Sequence, residues 1–325
     1  MQTPLSPPDD SRVGSASSEP LPTTAALPAN GDNAEELATL SWRARLRRNR
    51  LVRYLVFNPL NLFGLCIVVV TLVLTIAGPL FTPYSPTVPD YNSMLSAPSG
   101  IHLFGTDPIG YDIFSRVLAG ARLSIGTAAI VLAIALVVGL TLGAVAGFAG
   151  GWVDEVIMRV ADIFLAFPAL ILALAVAATL GAGLSSVVVA LSVGFWPWYT
   201  RLLRGQVLAL KQREYVEAAR ALGASGTGIV WRHILPNSLS PIIVEASLDI
   251  GYVVLSIAAL SFIGIGAQPP SPEWGAMIVA GRDYLRTAWW TCAFPGLALT
   301  LVVLGFNLIG DGLRDALDPR AASRA

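Results

Sequence analysis

The sequence predicts an all-α integral membrane protein with six transmembrane helices, and two features carry that prediction. The first is composition: 54% of the 325 residues are hydrophobic and only 13% are charged, whereas a soluble domain has about 25% charged residues. The second is that six mostly apolar runs reach the length of about 20 residues that a helix needs to cross a bilayer. These runs cover residues 60–81, 123–148, 160–180, 184–203, 241–264 and 291–309.

The chain before the first run divides into a polar tail and a basic flank. Residues 1–41 are rich in proline, serine and acidic residues, and we expect them to form a disordered cytoplasmic tail. Residues 42–120 comprise an amphipathic flank, the first span and an extracytoplasmic segment. The flank, residues 42–57, mixes arginines with apolar side chains. It is typical either of a helix bound to anionic membrane lipid or of a solvated basic stretch that only sets topology.

The distribution of basic residues predicts the orientation. An even number of spans places both termini on one side of the membrane, together with the long connection between the fourth and fifth runs. Of the 21 basic residues, only Arg116, Arg122, Arg282 and Arg286 fall on the opposite side. By the positive-inside rule, both termini and that connection are therefore expected in the cytoplasm.

Small and aromatic residues within the runs suggest how the helices pack. Gly139, Gly143 and Gly147 repeat at four-residue spacing in the second run, a pattern that brings one helix close to another. We interpret this repeat as a packing surface rather than a ligand site. Trp196 and Trp198, near the fourth run, suit anchoring at the membrane interface.

The connection between the fourth and fifth runs contains an unusual helical segment, residues 214–236, which we call the cassette. Glu214 and Glu217 fall in the first turns of a good helix former, Arg220 follows Glu217 at i+3, and Gly223 stands where a left-handed C-terminal cap belongs. A second short amphipathic piece, with apolar residues at 229, 230, 234 and 235, is expected to end at Pro236. The cassette is thus predicted to be a compact helical projection.

The residue pattern alone leaves two interpretations of the cassette open. An exposed amphipathic helix can float at the membrane surface or dock into a cytoplasmic partner. Docking would use Ala218 and Ala219 for close approach and Glu217 as a charge to be satisfied by that partner.

Several ordered motifs resemble one family. The spacing of Glu217, Ala218, Ala219, Gly223 and the pair Leu235 and Pro236 resembles the EAA loop of permease subunits of ATP-binding cassette (ABC) importers. Four further stretches are similar to the C-type permease of dipeptide, oligopeptide and nickel importers. They are HLFGTDPIGYDIFSRVLAGARLSI (102–125), GGWVDEVIMRVADIFLAFP (150–168), QPPSPEWGAMI (268–278) and FNLIGDGLRDALDP (306–319). The resemblance covers about residues 42–320.

The resemblance implies an architecture and a set of partners. The fold would be the type I ABC importer permease fold, with a five-helix core at 121–312, the EAA coupling loop at 214–236 and a cytoplasmic C-terminal tail at 313–325. The implied partners are a homologous B-type permease subunit, two cytoplasmic ABC ATPase subunits and an extracytoplasmic solute-binding protein, in a bacterial-type inner membrane. The residues implied to couple to the ATPases are Glu214, Glu217, Ala218, Ala219, Arg220, Gly223, His233, Leu235 and Pro236.

Two positions depart from the family pattern. Tyr111 occupies a position where the family has arginine, and Ile257 occupies one where an acid is often found. The salt bridge that an arginine could make at the first position is therefore not implied for this chain.

Acidic residues inside the apolar runs are candidates for the translocation pathway. Glu245 and Asp249 are four residues apart in the fifth run and share a helix face. Charges at that depth should face a bundle interior or water. They either line the passage and favour a cationic or amine-bearing solute, or pair with an arginine of a partner. Asp162, in the third run, is expected to play a structural role beside Arg159, one turn before it.

Other functional classes fit the sequence less well. The only lysine, Lys211, is followed by Gln212, so no phosphate-binding loop of the G-x-x-x-x-G-K-[ST] type can be built. We expect no catalytic residues, no metal site and no cofactor, since Cys66, Cys292 and the two histidines are isolated. The balanced charge gives no indication of nucleic-acid binding. A proton-driven secondary transporter using Asp249 and Glu245 is the alternative function, and the transported solute stays open.

Overall fold

The structure, a computed structural model, describes residues 55–317, and these residues form helices joined by turns and extended segments, with no β-strand among them. The predicted tail (1–41), most of the basic flank and residues 318–325 lie outside the described part. The principal helices are α1 (Pro59–Ala77), α2 (Ile113–Ala149), α3 (Gly151–Leu165), α4 (Ala169–Leu180), α5 (Leu184–Lys211), α6 (Glu214–Ala221), α7 (Gly226–Ile229), α8 (Leu235–Phe262), α9 (Trp274–Gly281) and α10 (Trp290–Leu317). A π-helical turn, Val230–Ile234, joins α7 to α8.

The apolar runs correspond to long helices, but fewer than six of the described helices have both the length and the apolar composition of a membrane span. By length and composition, four of the described helical stretches can cross a membrane, and a fifth if the bent pair α3 and α4 counts as one span. The fourth predicted run forms α5, which has sufficient length. It does not reach the hydropathy of the others because its middle contains Trp196, Pro197, Trp198, Tyr199 and Thr200 before Arg201.

The third run, predicted as one straight span, is broken. Helices α3 and α4 meet at an angle of 88°. Pro168 stands at the N-cap of α4, and proline disfavours helical geometry in the residue before it. The prediction of a continuous helix over 160–180 was therefore wrong.

The predicted glycine packing surface is confirmed. Gly139, Gly143 and Gly147 face α5 so closely that a Cβ added at Gly143 would lie 2.6 Å from the carbonyl oxygen of Thr200. At Gly147 it would lie 2.7 Å from Cβ of Val207. The absence of side chains lets α2 and α5 approach backbone to backbone, as in other membrane helix pairs.

The segments at the N-terminal end of α2 are held by buried polar groups. The Arg116 guanidinium donates to the carbonyl oxygens of Pro86 (2.8 Å), Pro270 (3.3 Å) and Ser271 (3.1 Å). It also lies 4.3 Å from the ring centroid of Tyr111. Tyr111, which departs from the family pattern, thus packs on an arginine that is held by carbonyl groups rather than by a carboxylate.

A buried carboxylate whose role was not predicted from the sequence organises α9. Glu273 is fully buried and caps the helix by accepting hydrogen bonds from the N–H groups of Gly275 and Ala276, both at 2.9 Å. It also accepts a hydrogen bond from the Ser124 hydroxyl of α2, at 3.3 Å. One side chain therefore satisfies the first turn of α9 and ties it to α2.

Candidate coupling segment and intramembrane acid pair

The first part of the cassette is a short helix with a sharp end. Helix α6 ends at Ala221 with Leu222 as its C-cap, and Gly223 follows with a φ of 83°. The N–H of Gly223 donates to the carbonyl of Arg220, and the N–H of Ala224 donates to that of Ala219, both at 3.0 Å. These two bonds form a Schellman motif, in which glycine supplies the left-handed residue. The predicted left-handed cap at Gly223 is confirmed.

An apolar cluster packs the cassette against the helices that precede it in the chain. Val216, Ile229 and Ile234 are buried and pack in one cluster with Leu203 and Val207 of α5. The predicted apolar surface of the second cassette piece is therefore confirmed. This packing fixes the cassette on the bundle, so it is not a free loop.

The C-terminal end of α2 forms the other part of the surface on which the cassette packs. A Cβ added at Gly226 would lie 2.7 Å from the Phe148 ring, so that glycine packs directly on it. Lys211 donates from Nζ to the Phe148 carbonyl at 2.8 Å. A lysine at this point satisfies one of the free carbonyls of the last turn of α2.

The opposite face of α6 is exposed and its charges are unpaired. Glu217 and Arg220 are exposed, and within residues 55–317 neither side chain makes an ion pair or hydrogen bond. The predicted i+3 contact between them is thus not formed. Leu222, at the corner, is 88% exposed. The cassette therefore presents two free charges and one apolar side chain outward, while Val216 holds it from behind.

The second part of the cassette does not stop at Pro236, contrary to the prediction. The helical path runs without interruption from Gly226 to Phe262, with Pro236 in the first turn of α8. Asn237 and Ser238 do not cap a new helix. They donate instead to the carbonyls of His233 (2.6 Å) and Ile234 (2.9 Å), one turn back. The His233 ring lies 6.3 Å from that of Tyr215 in α6.

Glu245 and Asp249 are brought together with two adjacent aromatic residues of α5. Trp198 donates from Nε1 to Glu245 Oε1 at 2.9 Å, and Tyr199 donates from its hydroxyl to Asp249 Oδ2 at 2.6 Å. Trp198, predicted as an interfacial anchor, is thus a partner of Glu245. Among the described residues no arginine, lysine or histidine pairs with either carboxylate.

The remaining charges of this region tie α3 to α5. Asp162 pairs with Arg201, and Asp154 Oδ2 accepts from Arg204 at 2.7 Å. Arg159, the expected neighbour of Asp162, lies instead 3.8 Å from Glu155. The structural role predicted for Asp162 is accordingly filled through a different arginine, which belongs to another helix. Within residues 55–317, no three His, Cys, Asp or Glu side chains converge where a metal ion could bind.

Comparison with known proteins places these features in a family. The sequence model described as binding-protein-dependent transport system inner membrane component matches residues 139–323, and that described as the N-terminal TM domain of oligopeptide transport permease C matches residues 50–98. The first match contains the whole cassette and the acid pair.

Individual relatives extend the similarity over most of the chain. The chain is 45% identical to the probable D,D-dipeptide transport system permease protein DdpC of Escherichia coli (strain K12), over 90% of this chain and 98% of the relative. It is 46% identical to the dipeptide transport system permease protein DppC of Alkalihalophilus pseudofirmus, over 82% and 88%. Identity is also 46% to the glutathione transport system permease protein GsiD of Pectobacterium atrosepticum, over 72% and 78%.

The fold also resembles a solved structure. It superposes on a chain of the inward-facing MetNI methionine ABC transporter with a TM-score of 0.52, covering 62% of this chain and 96% of that one at 20% identity. This likeness supports a shared membrane fold for the part of the chain that it covers.

Proposed function

Since the chain belongs to the family of binding-protein-dependent transport system inner membrane components and is a permease subunit of an ABC importer, we propose that its cassette couples the passage to cytoplasmic ATPases. The contact would be made by Glu214, Glu217, Ala218, Ala219, Arg220 and Gly223, with His233, Leu235 and Pro236 connecting it to α8. The observation that carries this proposal is the exposed, unpaired Glu217 on a short helix whose other face is anchored by buried Val216. An anchored helix with a free carboxylate is suited to receive a partner rather than to drift on a lipid surface.

The proposed assembly contains subunits that this chain lacks. It comprises a homologous B-type permease, two ATPases and an extracytoplasmic solute-binding protein. Six crossings, including α5 and the bent pair α3 and α4, would place both termini and the cassette in the cytoplasm, as the arginine distribution predicts. ATP hydrolysis would be the task of the partners, since the sequence has no phosphate-binding loop. The similarities support this function rather than a proton-driven transporter.

A charge reversal at Glu217 would test the coupling role. Glu217→Lys, assembled with the ATPases in membranes, should keep a normal permease level because the change lies outside the apolar spans. ATPase retention should fall at least about tenfold, since an unpaired or repelled charge at an interface is costly, and solute uptake should fall with it. Glu155→Lys makes the same charge change on α3, where the carboxylate is exposed and has only an i,i+4 arginine, and should leave uptake near wild type. Wild-type uptake with Glu217→Lys would refute the coupling role.

The solute is proposed to carry an ammonium group. The named relatives are transport permeases for D,D-dipeptides, dipeptides and glutathione, and each of these solutes has a free amine. Glu245 and Asp249 are the groups that would favour it, because both carboxylates are held by neutral donors and lack a cation among the described residues. Charges at this depth are retained where they contact water, a solute or a partner.

This solute proposal has its own measurement. Asp249→Asn should reduce uptake of a dipeptide with a free amine more than uptake of its N-acetylated form, while the complex still assembles. The wild-type ratio of the two uptake rates is the reference. An equal loss for both peptides, or loss of assembly, would assign Asp249 a structural role instead.

A further inference from the structure

The helical run from α7 into α8 is not uniform, and the pattern of burial shows where it changes. Ile229, Ile234, Ser238 and Ile242 are all buried, at successive spacings of five, four and four residues. In an α-helix, residues five apart point in directions that differ by about 140°. Ile229 and Ile234 can therefore both face α5 only if the turn between them is wider than an α-helical turn.

The backbone provides that wider turn. Over Val230–Ile234 the helix is of the π type, and the N–H of Leu235 donates to the carbonyl of Val230, five residues back. One residue more than in an α-turn is accommodated here. Such single π turns inside helices often mark functional positions.

Local chemistry explains why the turn forms at this place. Pro236 has no N–H to donate to the carbonyl of Arg232, and in an α-helix its ring would collide with that carbonyl. The two carbonyls that follow, those of His233 and Ile234, accept hydrogen bonds from the side chains of Asn237 and Ser238. The wide turn thus has polar groups around it that compensate for irregular backbone bonding.

The π turn lies between the cassette and α8, which pack against different neighbours. Before the turn, Ile229 packs in the apolar cluster with Leu203 and Val207 of α5. After it, α8 runs from Leu235 to Asp249, a distance of about 21 Å along the helix axis at 1.5 Å per residue. Resting on the coupling role proposed above, we propose that the π turn Val230–Ile234 is the hinge of this connection. Motion of the cassette bends the helix at the wide turn, and the part of α8 that carries Glu245 and Asp249 moves in response.

Deletion of one residue from the turn tests the hinge. Without Arg232, which is exposed and makes no ion pair among residues 55–317, Ile229 and Ile234 stand four residues apart. A regular α-helix then buries the same set of side chains. The hinge is lost while the packing is kept. Arg232→Ala is the matched control, because it removes the same charge but keeps the length. Pro236→Ala added to the deletion relieves the collision of the ring with the preceding turn.

The expected result separates coupling from folding. The deletion variant, alone or with Pro236→Ala, should reach the membrane level of Arg232→Ala and retain the ATPases. Its ATP-dependent uptake should fall about tenfold or more, within the range of typical coupling effects, and ATP hydrolysis should no longer respond to the loaded binding protein. Arg232→Ala should keep stimulated hydrolysis and uptake.

Three outcomes would overturn the hinge. They are uptake by the deletion variant equal to that of Arg232→Ala, failure of both deletion forms to assemble, and an equal loss in Arg232→Ala itself. Failure of the coupling role is a different result. It would appear in the unmutated complex, as a permease that does not retain ATPases or whose uptake is independent of ATP.

Discussion

Gly143→Ala should loosen the contact between α2 and α5, and the structure allows its effect to be estimated. The new Cβ would lie 2.6 Å from the Thr200 carbonyl oxygen and 3.0 Å from Leu203 Cβ, where ordinary contacts begin at about 3.4 Å. The helices must then separate locally by roughly 0.8 Å, a gap that forfeits between a quarter and a half of the dispersion energy of the affected contacts. Overpacking of this kind costs about 1 to 3 kcal/mol.

The intrinsic helix preference of alanine opposes that loss. Alanine in place of glycine stabilises a helix interior by about 0.5 to 1 kcal/mol, so the net destabilisation at Gly143 should lie between about 0 and 2.5 kcal/mol, with a central value of about 1 kcal/mol. Gly126→Ala is the matched control, since the same substitution in α2 meets no heavy atom within 4 Å.

The measurement is the midpoint of thermal unfolding of the purified permease in detergent. Gly126→Ala should leave the midpoint unchanged or raise it, whereas Gly143→Ala should lower it by several degrees. Equal midpoints for the two variants would show that α2 and α5 separate freely at this point, and would refute the interpretation of the glycine repeat as a close-packing surface.

Three further experiments address other parts of the molecule. A cysteine introduced at Ser93 should react with an impermeant thiol reagent added from outside, and one at Ser225 should react only after the membrane is opened; labelling of the second from outside would reverse the proposed orientation. Tyr199→Phe should destabilise the protein by about 1.5 to 3 kcal/mol, the range for a hydrogen bond to a charged group. The penalty should shrink in an Asp249→Asn background, and a penalty independent of residue 249 would mean that the hydroxyl matters for another reason. Arg116→Gln should make the segments around Pro86 and Ser271 more sensitive to external protease, because their carbonyls lose a shared donor; unchanged cleavage would show that other contacts hold them.

Features fixed by neighbouring residues were predictable from the sequence. The sharp end of α6 at Gly223 depends on a left-handed residue that glycine adopts without penalty. The glycine repeat of α2 depends only on its four-residue spacing, which a helix turns into a continuous surface. Both features follow from local spacing alone, although the sequence did not show that α5 is the helix that packs on the glycines.

Contacts between helices were not predictable in this way. The partner of Asp162 is Arg201, which lies on α5, and no local rule chooses it over nearby Arg159. Trp198 and Tyr199 meet Glu245 and Asp249 only because α5 packs on α8. Pro236 was expected to end a helix, but the π turn just before it leaves room for a residue without an N–H, so the helical path continues. The four-residue steps from Ile234 to Ser238 and Ile242, which cross Pro236, are the signal in the sequence that could have shown the helix to continue.

The length of α2 has a mechanical consequence. Its 37 residues correspond to about 55 Å of helix, more than the roughly 40 to 45 Å of a whole bilayer with its headgroups. At tilts below about 35° the helix is therefore longer than the bilayer and extends into water at one end or both. Arg116 holds the segments around Pro86 and Ser271 at one end, and Phe148 packs against the cassette at the other. Because one continuous helix joins these two contacts, a displacement at either end would be transmitted along α2. A thinner or thicker membrane would be matched by a change in the tilt of this helix.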